Sequence, residues 1–238
     1  MIELLGLLLL SFVITAIFMV PFINFLYLLK RRYKNPIPKG YNDSTTPIHN
    51  KLLRGKDLET PVGGGILVLV ILALLSLGYS FFNGFKIPNS IIVLVFTIAS
   101  FGVIGLFDDV RKIVTALSGK YKGIRSRYIL LLQVIFALLI ATSLYLVLGI
   151  NNLYVAHFGN FYIGPLYIPM AAFLIVAFSN AYNISDGLDG LSSGLLIICL
   201  LALLGLASAN LNLDLARFLG IWIGALFAYL YFNIYPAR

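Results

Sequence analysis

Apolar and polar positions segregate along this chain in whole segments. Seven predominantly apolar stretches, at about 4–29, 61–80, 89–107, 128–148, 167–182, 191–209 and 215–233, are joined by shorter polar connections. A helix that crosses the hydrocarbon core needs roughly 20 such residues, so the pattern predicts seven transmembrane helices. The first stretch ends in "KRRYK" rather than a small-residue cleavage site, which makes it a retained span and not a signal peptide. Residues 149–166, "GINNLYVAHFGNFYIGPL", follow a different rhythm of Asn, Gly and alternating aromatics. They predict a short periplasmic hairpin at the outer membrane interface. The expected architecture is an all-α polytopic membrane protein, one integral-membrane domain over 1–238.

Composition agrees: 61% of the 238 residues are hydrophobic and 11% charged, which excludes an ordinary soluble domain. Charge then sets the orientation. Of 17 Lys and Arg, eight fall in 30–60 and six in 108–127, with Arg238 at the end and only Lys86 and Arg217 elsewhere. The positive-inside rule makes those basic loops cytoplasmic and the N-terminus external. Asp43, Asp57, Glu59, Asp108, Asp109, Asp186 and Asp189 then share the cytoplasmic face, leaving Glu3 and Asp214 outside. The basic clusters read as topology signals and anionic-lipid attraction, with no nucleic-acid partner expected. The single cysteine, Cys199, permits no disulfide framework or thiolate site and is expected to be a small buried hydrophobe. His49 and His157 are expected to be surface residues rather than ligands.

Four stretches could carry chemistry. In "FGVIGLFDDVRK", Asp108 and Asp109 end the third span. Negative charge is disfavoured at the carbonyl end of a helix, and adjacent carboxylates repel each other. A divalent cation, a general-base role, or ion pairs with Arg111 and Lys112 would each offset that cost. In "NAYNISDGLDGLSSG", Asn183, Asp186 and Asp189 recur at i, i+3, i+6, which puts them on one helical stripe or along one wall of a short loop. Gly187, Gly190 and Gly194 would let backbone approach a ligand or break the helix. The plainer alternative is a polar turn between two spans. In "ETPVGGGI", Thr60 and Pro61 make a helix start, and Gly63–Gly65 serve either close helix packing or a glycine-lined ligand surface. In "SGKYKGIRSR", cations follow the Asp pair within one loop. Carboxylates, glycines and cations on one membrane face suit phosphoryl transfer, which needs charge neutralisation and positioning above all. A site built on membrane spans points to a lipid as one substrate.

Taken in order, "TPVGGGI" (60–66), "FDDVRK" (107–112), "KGIRSRYILLLQ" (122–133), "NAYNISDGLDGLSSG" (180–194) and "FNIYPAR" (232–238) resemble the polyprenyl-phosphate N-acetylhexosamine-1-phosphate transferases. The resemblance is strongest to their phospho-N-acetylmuramoyl-pentapeptide transferase branch. It implies transfer of a sugar phosphate from a UDP-sugar to undecaprenyl phosphate at the cytoplasmic face of the inner membrane, releasing UMP in peptidoglycan precursor synthesis. The donor would be UDP-N-acetylmuramoyl-pentapeptide, with UDP-N-acetylglucosamine as the alternative. The cofactor would be Mg²⁺, with Mn²⁺ as the alternative ion. By resemblance Asp108, Asp109 and Asp186 would be catalytic. Lys112, Lys122, Arg127, Asn183, Asp189 and Gly64 would bind substrate, and Asp108, Asp109 and Asn183 would serve the metal. Membrane lipid is an expected partner, and a homodimer is allowed.

The family pattern has ten spans, and this chain carries seven. A Met-Gly-Asp segment with a principal Mg²⁺ ligand, and a histidine-rich loop, would follow Arg238. The chain is therefore expected to be a fragment or truncated form, with activity not assured for these residues alone. Two rivals of another class are a cation-coupled transporter and an inactive cell-wall scaffold. A transporter would place its acids near the bilayer midplane in repeated halves; here the acids gather at one interface without a repeat.

Overall fold

Every apolar stretch forms a helix long and apolar enough to cross a bilayer. The computed structural model describes residues 2–30, 61, 63–82, 88–118, 126–235 and 237, without the side chains of 111–118 and 126–127. Among them are α1 (Ile2–Lys30), α2 (Gly65–Phe82), α3 (Asn89–Ser118), α4 (Ser126–Leu146), α5 (Tyr167–Ser185), α6 (Leu191–Ala209) and α7 (Leu213–Asn233). Between α4 and α5 lies an antiparallel ribbon of β1 (Asn152–Val155) and β2 (Gly159–Tyr162), followed by a 3₁₀ turn at Gly164–Leu166.

Helix α7 is the hub. Over its span 56% of residues are buried, against 17–28% for the other six. It packs on α1, α2 and α6. Lipid tails are as apolar as leucine, so helices in a bilayer associate through close packing and interhelical hydrogen bonds. The sequence "GIWIG" (220–224) supplies the first: a Cβ on Gly220 would touch Leu4, and one on Gly224 would collide with the Leu8 carbonyl. Ser11 supplies the second, donating its hydroxyl to the Ile221 carbonyl at 2.6 Å. These contacts run α1 and α7 in the same direction. Val68 of α2 and Ile197 and Leu200 of α6 complete the core around Leu219, Ile223 and Leu226. A second seam joins α4 and α5 through Ala137, Ala141, Ala171 and Ala172. There Asn180 donates to the Gln133 side chain at 3.0 Å.

The two ends of the helices differ in chemistry. At one end Arg217 binds Glu3 at 2.8 Å and Asp214 at 3.2 Å, and Tyr79 donates to Glu3 at 2.7 Å. The ribbon lies at this same end, between the C-terminus of α4 and the N-terminus of α5. Gly63–Gly65, Asp108, Asp109, Asn183–Gly190, Asn233–Tyr235 and Ala237 lie at the other.

Several expectations need correction. Helix α3 does not stop at the Asp pair but continues to Ser118, so Asp108 and Asp109 sit inside a helix and escape the end-dipole penalty. Helix α2 begins at Gly65, after Gly63 in a left-handed conformation (φ 101°), rather than at Pro61; Thr60 lies outside the described residues. Cys199 is exposed on α6 instead of buried, because lipid solvates an apolar side chain as well as a protein core does. His157 is exposed, as expected, and takes φ 69° in the ribbon's turn. His49 lies outside the described residues.

Candidate active site

The chain between α5 and α6 is a tight turn, and hydrogen bonds from three directions shape it. Helix α5 ends at Ser185, and Asp186 leaves helical geometry (φ −80°, ψ 46°) while its N–H still reaches the Tyr182 carbonyl at 3.2 Å. Asn183 is therefore helical, whereas Asp186 and Asp189 belong to the turn, so the three do not form one helical stripe. Gly190 re-enters the helix as the cap of α6 with φ 76°. That left-handed conformation costs a side-chain-bearing residue roughly 1–2 kcal/mol. A Cβ there would also meet Leu230, Asn233 and Ile234 at about van der Waals distance, so this glycine serves the turn and its packing on α7.

The first turn of α6 holds the acids from one side. Ser192, only 4% exposed, donates its hydroxyl to Asp186 Oδ1 and lies within reach of the Tyr182 hydroxyl. Ser193, also buried, donates to the Gly190 carbonyl at 3.3 Å and accepts from the Asn233 amide at 3.4 Å. The chain after α7 holds them from the other: the Ala237 N–H donates to Asp189 Oδ2 at 3.1 Å. Each carboxylate is thereby oriented by a partner on a different element.

Tyr229 of α7 connects this turn to the remaining acids. Asp109, Asp186 and Asp189 all lie within electrostatic reach of its hydroxyl, as does Tyr182. Its ring fills the space that Gly64 leaves open, where a Cβ would stand 2.9 Å from Cε2. Asp109 of α3 and Asp186 and Asp189 of the α5–α6 turn thus each interact electrostatically with one residue of the central helix. Asp108, next on α3, points about 100° away from Asp109 and is half-buried. Asn183 is exposed at the end of α5. Lys122, and the side chains of Lys112 and Arg127, lie outside the described residues.

Carboxylates at one end of the helices would repel a phosphate unless a cation stood between them. Carboxylate oxygen is the donor that Mg²⁺ prefers. Among the described residues no three His, Cys, Asp or Glu are close enough to make a metal cage of protein groups alone.

Sequence reasoning missed Ser192, Ser193 and Tyr229. A signal existed for Tyr229, which stands four residues before Asn233 and so on the same face of α7. The serines open α6 directly after the Asp-Gly turn, where hydroxyls serve as local hydrogen-bond donors.

Residues 91–238 match the model of glycosyl transferase family 4. The chain belongs to that family. Family members similar to it carry the name phospho-N-acetylmuramoyl-pentapeptide-transferase. The one from Clostridioides difficile (strain 630) is 35% identical over 182 residues, covering 75% of this chain and 54% of the relative. That of Aquifex aeolicus (strain VF5) is 33% identical over 248 residues, covering 97% and 64%. One from Streptococcus equi subsp. zooepidemicus (strain MGCS10565) is 30% identical over 232 residues, covering 97% and 65%. The chain spans less than two thirds of the length of each. The resemblance read from the ordered motifs is thus borne out at the level of the family, a multi-pass membrane family of transferases.

Proposed function

We propose that this chain forms part of an enzyme that transfers phospho-N-acetylmuramoyl-pentapeptide from its UDP derivative to undecaprenyl phosphate. In this reading the lipid phosphate attacks the phosphorus bonded to the sugar. A new pyrophosphate bond forms as the bond to the uridine-side phosphate breaks, and UMP leaves with that electron pair. The placing of the Asp108–Asp109 pair of α3 at the same end of the membrane helices as the turn that holds Asp186 and Asp189 by hydrogen bonds carries the proposal. The names of the similar proteins support the choice of donor.

Bound Mg²⁺ would neutralise phosphate charge, held from the Asp108–Asp109 pair and Asn183. Asp108 or Asp109 would hold the lipid phosphate in its deprotonated form. Asp186, fixed by Ser192, and Asp189, fixed by Ala237, would line the nucleotide side with Asn183. Gly64 would contribute by admitting the Tyr229 ring beside the acids. Lys112, Lys122 and Arg127 would supply phosphate-binding cations. The positive-inside reading puts this site on the cytoplasmic face of the inner membrane.

The test is UMP release by the longest form of this chain its gene encodes, in vesicles containing undecaprenyl phosphate and Mg²⁺. Release with UDP-N-acetylmuramoyl-pentapeptide and not with UDP-N-acetylglucosamine supports the reading. Release with the second donor alone moves the activity to the N-acetylglucosamine branch. A protein that ignores both nucleotides but carries cations would be a transporter.

A further inference from the structure

The ribbon between α4 and α5 has two unlike faces. Its register pairs Asn152 with Tyr162, Leu153 with Phe161, Tyr154 with Asn160 and Val155 with Gly159. Side chains alternate across a strand and paired residues share a face. One face therefore carries Leu153, Val155 and Phe161, and the other Asn152, Tyr154, Asn160 and Tyr162. The apolar face is only partly covered among the described residues: Leu153 is 40%, Val155 37% and Phe161 48% exposed. A lone two-stranded hairpin is marginal in water, so this face needs a cover.

We propose that the Leu153–Val155–Phe161 face is a lipid-docking surface, seated on the bilayer boundary with the Asn and Tyr face turned to headgroups and water. Three observations favour lipid over a protein partner. First, the ribbon is strung between the ends of two membrane helices, Leu146 of α4 and Tyr167 of α5, and so is held where the hydrocarbon ends. Second, residues 147–166 contain no Asp, Glu, Lys or Arg, which leaves no charge to desolvate or to pair with a partner. Third, Leu146 and Leu166, each 71% exposed, continue the lipid-facing surface of the helices up to the ribbon on both sides. Tyrosine on the opposite face is the residue type that collects at membrane interfaces, its ring half in and its hydroxyl in water. The base of the ribbon is fixed as well: the N–H groups of Ile163 and Gly164 both donate to the Asn151 carbonyl at 3.1 Å. This inference stands apart from the transfer reaction and survives its failure.

The test places a spin label on each face of the longest encoded protein, in a Cys199→Ala background reconstituted in phosphatidylcholine vesicles. Phe161→Cys and Val155→Cys report the apolar face, and Tyr154→Cys the other. Collisions with oxygen, which partitions into lipid, are compared with those of a water-soluble nickel chelate. A ratio of oxygen to nickel accessibility severalfold higher at both 161 and 155 than at 154 is the expected result. Equal ratios on the two faces would overturn the proposal, because the ribbon would then stand in water. Low accessibility to both reagents at 161 and 155 would also overturn it, because protein would then be the cover. Two labels on the apolar face guard against one substitution distorting the ribbon.

Discussion

The buried hydroxyl of Ser192, on the first turn of α6, donates to the carboxylate of Asp186, the first residue after α5. A hydrogen bond to a charged acceptor is worth about 1.5–3 kcal/mol. Part of that is expected to appear as orientation of Asp186 at the moment of transfer. Ser192→Ala in the longest encoded protein should lower kcat by about tenfold, roughly 1.4 kcal/mol, with little change in KM. Ser192→Thr, which keeps the hydroxyl, should recover most of the loss. Equal loss in both variants would make Ser192 a packing residue only.

The α1–α7 contact gives a prediction about stability. Gly224 faces the Leu8 carbonyl with no room for a Cβ, whereas Gly205 on α6 has nothing within 4 Å of its own. Gly224→Ala should destabilise by about 1–3 kcal/mol through overpacking. Gly205→Ala should be neutral or stabilising, since alanine is the better helix former by about 1 kcal/mol. Thermal unfolding of both variants in detergent checks the contrast; equal midpoints would contradict the packing.

Much of this fold was legible because the bilayer imposes one rule that sequence cannot hide, a run of apolar residues per crossing. What a run does not reveal is which of its faces meets protein. That is why Cys199 was misplaced and why the central position of α7 went unread, although "GIWIG" carried a hint of it. The end of α3 was missed for a related reason. Residues 108–118 continue the helix after hydrophobicity falls, and hydropathy marks the edge of lipid rather than the edge of helix. At the site, Asp109, Asp186 and Asp189 stood out because acids beside membrane spans are costly. Ser192 and Tyr229 did not, since a hydroxyl in an apolar helix costs little and signals nothing until its partner is placed.

Gly190 offers a check on the turn itself. Its φ of 76° and its contact with the end of α7 make any side chain there unfavourable. Gly190→Ala should cost roughly 1–2 kcal/mol in backbone strain and loosen the seat of Asp186 and Asp189. Gly194, with open space around it, is the control. Limited proteolysis near 186–190 should accelerate in the first variant and not in the second.

The most direct test of the central claim is single-turnover formation of lipid-linked product by Asp186→Ala and Asp109→Ala. Both would be made in the longest encoded protein and matched for membrane insertion. If these acids form the transfer site, each should lose at least about a hundredfold in rate, the lower end of what a positioned acid or base contributes, with insertion unchanged. Wild-type turnover in both variants would contradict the account, and the acids at this end of the helices would then be structural.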